Sequence, residues 1–311
     1  MKLGFFTDTH ARTDTPEGRT DDFRQSILQK LEEMGGIWKD HGVDVVLFGG
    51  DLFHTPDPAM SIQYDVMHIL KSWGKRIIGV VGSHDYFGYQ MKSLKRTALG
   101  LFYKSDLIEL VDGEGLPDHI FLEEGVVITA THHTHWLSED AGNYSKERVA
   151  GANYQIQLVH GDLVAKPVPW THITIDQVNT ASDLVLSGHV HSGWDEPITL
   201  KSTTFFNPGS IGRLENTGVE RTPRVVTISS EEQTMGCILL SKLETHPFKG
   251  KKVNQEASSA YDITKLMQLI ATTKVDSIDV KLQLPTLADR LDLGEEVLDK
   301  AFEFIEKADR E

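Results

Sequence analysis

Five apolar runs each stop at residues able to hold a cation or move a proton. KLGFFT ends in Asp8-Thr9-His10, and VDVVLFGG ends in Asp51 with His54 three residues on. RIIGVVG ends in Ser83-His84-Asp85, YQIQLV in His160-Gly161-Asp162, and SDLVLSG in His189-Val190-His191. Carboxylate and imidazole without thiolate suit borderline or hard divalent ions such as Mn2+, Fe2+ or Zn2+. The D-x-H and H-x-H spacings put both side chains on one face of an extended segment, because alternate residues point the same way. Asp51 carries two oxygens, enough to bridge two ions. Two ions ~3.5–4 Å apart lower the pKa of a bound water and clamp a phosphorus centre for in-line attack. They also turn an acidic pocket into an anion site. One buried histidine is ordinarily a satisfied core residue; five polar endings at the same end of five strands are hard to read as packing.

The elements that must position these groups read as an α/β domain, in which short apolar runs alternate with helical patterns. The runs are 2–6, 43–48, 76–81, 126–130, 154–159 and 182–187, near-continuously apolar as in a sheet covered on both faces. In open α/β sheets, ligands collect at the carboxyl ends of the strands. Phe23, Ile27, Leu28, Leu31, Met34 and Trp38 recur at helical spacing. Further helices are predicted over 58–73 and 89–101. After residue 195 strands and turns take over, with SSEEQTMG as a hairpin connection and Cys237, expected to be buried, at the start of a strand. The polar stretch 246–259 marks a boundary between a domain over 1–245 and a small one over 246–311, read as helix, strand and final amphipathic helix.

The chain has 311 residues, 14 of them histidine, and a formal net charge of −15. Neither the first 245 residues nor the remainder is basic, so contact with a polyanion requires a local patch or cations that the protein collects. A single cysteine excludes an internal disulfide and fits a reducing cytoplasm. No apolar run has the length of a membrane span.

In their order, the five segments resemble the calcineurin-like metallophosphoesterases, whose pattern is D-x-H, G-D, G-N-H-D/E, H and G-H-x-H. GGDLFHTPDP (49–58), NPGSIGRLE (207–215) and the small C-terminal domain narrow the resemblance to the SbcD-type nucleases. It implies a two-sheet αββα sandwich with a small α+β capping domain. It also implies a metal-dependent DNA exonuclease and endonuclease of repair or recombination, with two divalent ions, Mn2+ foremost and Mg2+, Fe2+ or Zn2+ as alternatives. The implied partners are DNA, an SMC-like ATPase and a second copy of the chain. By motif, Asp8, His10, Asp51 and His191 would hold the first ion; Asp51, His160, His189 and residue 83 would hold the second. His84 would face the scissile phosphate, oriented by Asp85, and His54 would assist. The departure is Ser83, where the family has asparagine. Three readings stay open: a water fills the gap, the hydroxyl coordinates, or the second site is largely empty. Two other functions stay open as well: a phosphomonoesterase or cyclic-nucleotide phosphodiesterase, and an inactive scaffold subunit.

Outside the motifs, His133 and His135 in THHTHW (131–136) are expected to line the substrate groove, and Arg213 to meet phosphate. Asp162 is read as either a support for a ligand or a turn former. KGKK (249–252) is read as a solvated linker or a backbone contact, and Trp136, Trp170 and Trp194 as core cover or base-stacking groups.

Overall fold

The computed structural model describes residues 1–214, 221–241 and 248. Two six-stranded sheets face each other. The first is built from β1 (Lys2–Phe6), β2 (Val45–Phe48), β3 (Arg76–Gly79) and β4 (Glu109–Leu110), all parallel. The second contains β5 (His119–Phe121), β6 (Val126–Thr131) and β7 (Tyr154–Gly161). A separate two-stranded pair, β8 (Leu163–Val164) and β9 (Ile173–Thr174), follows; β10 (Leu184–His189), β11 (Ile198–Leu200) and β12 (Thr203–Phe206) complete the second sheet. In it β6, β7, β10 and β12 are parallel, with β5 and β11 antiparallel at the edges. The hairpin of β13 (Arg224–Ser229) and β14 (Thr234–Leu239) returns to the first sheet, β13 pairing antiparallel with β1.

Alternation along the strands makes the layers. Leu3, Phe5, Leu47 and Ile78 point inward and meet Ile128, Ile156, Leu158, Leu184, Leu186 and Phe206 of the second sheet. Phe6, Val46 and Phe48 point outward, under helices α1 (Phe23–Asp40) and α2 (Met60–Ser72). Each such side chain stabilises the fold by roughly 1.5–3 kcal/mol when fully buried. Asp22 caps α1 by accepting from the backbone of Gln25. The helix runs unbroken through Gly35, where a Cβ would lie 2.6 Å from Cδ1 of Trp73. The glycine therefore serves close helix packing rather than ending α1.

Several expectations change. The predicted helix over 89–101 is split into a 3-10 segment, Met91–Arg96, and α3 (Ala98–Lys104). Thr97 divides them with extended backbone, and its hydroxyl caps α3 by accepting from Gly100. The short strands β4 and β5 have too few residues to show a period. Among the described residues the outer face of the second sheet is covered by the single turns 137–139 and 141–144 and by β8 and β9, with Leu137, Tyr144, Leu163 and Ile173 against Val159, Val185 and Phe205. Cys237 is exposed in mid-strand, not buried at a strand start, because β14 is the edge of its sheet. The small domain expected over 246–311 lies outside the described residues, apart from Phe248.

Candidate metal centre

The carboxyl ends of β1, β2 and β3 meet those of β7 and β10. The loop after β1 runs beside the loop after β2, with the backbone of Asp8 donating to Gly50 (3.0 Å) and that of His10 to Asp51 (3.1 Å). The backbone of His189 donates to both oxygens of Asp8, each at 3.1 Å, which joins the two sheets at the site. The segment 207–212 braces this junction from outside. Ser210 donates to the carbonyl of His191, Ile211 to that of Thr7 and Gly212 to that of Asp8, while the Asn207 amide donates to Val190.

Two groups of donors result. In the first, Asp8, His10 and His191 converge: Nε2 of His10 lies 2.9 Å from Nε2 of His191, and Oδ1 of Asp8 lies 3.9 and 3.8 Å from these nitrogens. In the second, Asp51, His160 and His189 converge. Oδ2 of Asp51 lies 3.2 Å from Nε2 of His160 and 3.6 Å from Nε2 of His10, so one carboxylate oxygen faces both groups. The Ser83 hydroxyl donates to this same oxygen at 3.1 Å and lies 3.5 Å from Nδ1 of His189. It thus stands among the second group's donors. Asp162 lies beside the far nitrogen of that imidazole, 3.7 Å from Nε2.

These donors fit divalent cations on electrostatic grounds. Burial, above all, holds His10 and His191 below the usual imidazole range, so both stay neutral and keep a lone pair. Nδ1 of His160 donates to the carbonyl of Gly49 at 2.7 Å, which leaves Nε2 bare, buried and without an aligned hydrogen-bond partner. Burial opposes charge on His160, but Asp51 outweighs it and pushes the imidazole up to about 10. Asp51 itself, despite burial, is held well below the usual carboxylate range by His160, His84 and His10. A carboxylate and a lone pair forced together in a dry site call for positive charge between them, either a proton or a metal ion.

A third cluster sits at the mouth, where His10, His54 and His84 converge. The rings of His54 and His84 are stacked at 5.2 Å, and Nδ1 of His84 donates to the carbonyl of His54 at 2.7 Å. Burial, with His84 and Arg12, lowers His54 to about 3, so it stays neutral.

Backbone conformation corrects the expectation drawn from spacing. Asp8 and His10 do not lie on an extended segment: their φ values are 53° and 45°, and Asp51 and His189 have 57° and 83°. Left-handed backbone at non-glycine residues is costly and gathers at functional sites. The expected role of Asp85 also changes. Its carboxylate accepts from the backbone of Asp51 (2.8 Å), Leu52 (3.1 Å) and Gly82 (2.8 Å), so it ties the GSHD turn to the Asp51 loop. The carbonyl of His54, rather than Asp85, holds the ring of His84. Burial and Asp51 raise Asp85 to about 7 against these donors.

His133 is buried with its ring 4.7 Å from that of His189, and His135 lies farther out beside Tyr89 and Trp136. The carbonyl of Arg213 accepts from Arg19, and its guanidinium lies 5.5 Å over Phe248. Sequence reasoning missed Tyr89, whose only local sign is its place after a glycine in DYFGY. It also missed Asp112, which accepts from the backbone of His132 and from Lys146 at 3.0 Å each.

Residues 1–193 match the model of the calcineurin-like phosphoesterases. The chain belongs to that family. Its members typically bind two divalent metals, and membership makes this calcineurin-like phosphoesterase a metal-dependent hydrolase of phosphoesters. No curated protein matches it. Among solved structures, a dimetal phosphatase from Danio rerio shares the fold at 10% identity and TM-score 0.53, over 78% of this chain and 97% of that one. The calcineurin-like phosphoesterase YfkN from Bacillus subtilis does so at 13% identity and TM-score 0.50, over 79% and 92%. The match to a Thermus thermophilus sulfate thiohydrolase, SoxB, has 14% identity and TM-score 0.46, and covers 78% of this chain but 56% of that one. Among the described residues no helix is long and apolar enough to cross a membrane.

Proposed function

We propose that this calcineurin-like phosphoesterase is a two-metal phosphodiesterase that cuts DNA, the nuclease subunit of an SbcD-type repair or recombination complex in the cytoplasm. The observation that carries the two-metal reading is Oδ2 of Asp51, which faces a donor nitrogen of each group at 3.2 and 3.6 Å. Asp8, His10, Asp51 and His191 would hold one ion, and Asp51, His160 and His189, with Ser83, the other. Mn2+ suits this mixture of oxygen and neutral imidazole. When bound, such a pair supplies Lewis acidity and a nucleophilic water of lowered pKa. The chain's own contribution is placement. Nδ1 of His84 is fixed by the His54 carbonyl, so Nε2 is the nitrogen that would face a phosphate oxygen and donate to the developing charge. His54, kept neutral, offers a hydrogen bond beside it. Asp85 acts only by holding the Asp51 loop.

The choice of DNA as substrate rests on GGDLFHTPDP and NPGSIGRLE; the latter's Asn207 and Ser210 brace the GHVH turn, and its Ile211 bonds to Thr7 at the end of β1. An SMC-like ATPase is the proposed partner. A second copy of the chain would cover Met60 and Tyr64 of α2 and Leu101 of α3, which are exposed. The net charge of −15 favours a second reading, a phosphomonoesterase or cyclic-nucleotide phosphodiesterase. Turnover of linear DNA, bis(p-nitrophenyl) phosphate and p-nitrophenyl phosphate in Mn2+ separates the readings, and turnover of the monoester alone overturns the first. Ser83→Asn, which lengthens the neutral donor beside Asp51, is expected to raise the affinity for the second ion. A flat metal count together with flat turnover would instead favour a scaffold.

A further inference from the structure

A row of aromatic rings leads away from the second donor group. His133 begins it, 4.7 Å from the ring of His189 and 6.1 Å from that of His160. Tyr89 follows at 5.1 Å from His133, and His135 at 6.0 Å from Tyr89, with their planes only 26° apart. Trp136 ends the row at 4.5 Å from His135, edge to face. Exposure rises outward, from 8% at His133 through the half-buried Tyr89 and His135 to 62% at Trp136.

The surrounding chain is shaped to hold these rings. Gly88 and Tyr89 both take left-handed backbone, with φ of 55° and 53°. A bulky residue rarely adopts that conformation, and it persists only where neighbouring structure enforces it. The loop carrying His133, His135 and Trp136 is pinned at its base. Tyr86 donates to the carbonyl of His133, and Asp112 accepts from the backbone of His132. A large exposed indole beside a catalytic cleft adds nothing to the core.

Flat π faces that start at metal-facing imidazoles and open to solvent match a flat ligand attached to a phosphoester. A nucleobase is such a ligand. Stacking accepts any base, since every base has a π face, and needs no basic surface, which suits an acidic protein. We propose that Tyr89, His135 and Trp136 form a stacking ledge for the base of a nucleotide whose phosphate lies at the metal groups. In an intact duplex the bases are already stacked on one another, so the ledge takes unpaired bases of single-stranded ends and loops. The substrate class rests on the phosphodiesterase reading, whereas the ledge itself is testable by binding alone.

The test uses the full chain and titrates it into a fluorescein-labelled ten-residue oligothymidylate and into a labelled abasic ten-mer of the same backbone, read by fluorescence anisotropy. The base-bearing strand is expected to bind roughly tenfold more tightly, the order of one stacked base. Trp136→Ala should bring the two affinities together, and Trp136→Phe should restore most of the difference. Equal affinities in the wild-type protein, or a difference that survives Trp136→Ala, overturns the ledge. Hydrolysis of bis(p-nitrophenyl) phosphate by the wild-type protein is measured alongside. Turnover with equal affinities sinks the ledge alone; base-selective binding without turnover supports the ledge and sinks the phosphodiesterase reading.

Discussion

Gly82→Ala is the most incisive perturbation of the site, because it adds one carbon and no charge. A Cβ on residue 82 would lie 2.2 Å from Oδ1 and 2.4 Å from the backbone nitrogen of Asp51. Neither atom can yield cheaply. The nitrogen donates to Asp85, and Oδ1 accepts from the backbone of His84 at 2.8 Å. Relief requires a shift of about 1 Å between the GSHD turn and the Asp51 loop, several times the ~0.2 Å tolerance of metal–ligand distances. The oxygen facing both donor groups belongs to Asp51, so both ions should be lost together. Turnover should fall by at least roughly a hundredfold, the order expected for a 1 Å misplacement. Metal content by mass spectrometry, phosphodiesterase turnover and a thermal melt check each of these steps. Gly36→Ala is the control: no atom beyond the adjoining backbone of its own helix lies within 4 Å of its Cβ, it sits inside α1, and it should keep both ions while stabilising the helix by up to about 1 kcal/mol. Two ions and wild-type turnover in folded Gly82→Ala would refute the idea that this glycine exists to admit Asp51.

Removing the imidazole of His84 with His84→Ala should lower turnover roughly 10²–10⁴-fold and leave the metal count intact; loss of an ion would make His84 a ligand. Asp51→Asn should empty both sites in one step, so retention of a full second ion by mass spectrometry would exclude a shared carboxylate. Asp112 gives a stability prediction. Burial opposes its charge, but His132 and Lys146 outweigh it and lower the carboxyl to about 2. A depressed carboxylate contributes stability that is complete above the unfolded value near pH 4 and is lost as pH falls through about 2. The contribution is roughly 2 kcal/mol. In urea melts, Asp112→Asn should therefore be destabilised at pH 7, with the gap to wild type closing as pH is lowered from 4 to 2; a constant gap would contradict the mechanism.

The sequence by itself determined the types of the donors, their order and the apolar runs that deliver them to strand ends. The period of Phe23, Ile27, Leu31, Met34 and Trp38 likewise specified α1, because burial on one face leaves a repeat along the chain. The tertiary structure alone decided how the donors meet. Asp8 and His189 are 181 residues apart, and Asp51 and Asp85 are 34 apart, yet each pair is joined by a hydrogen bond. Neither pairing leaves a repeat or a local signal in the sequence, because each depends on two loops meeting after the sheets have packed. The same holds for the left-handed backbone at Asp8, His10, Asp51 and His189, and for the ring row from His133 to Trp136. Periodicity reports which face of an element is buried. Where a side chain at the end of that element points is set by contacts with distant segments, and only the folded chain supplies those.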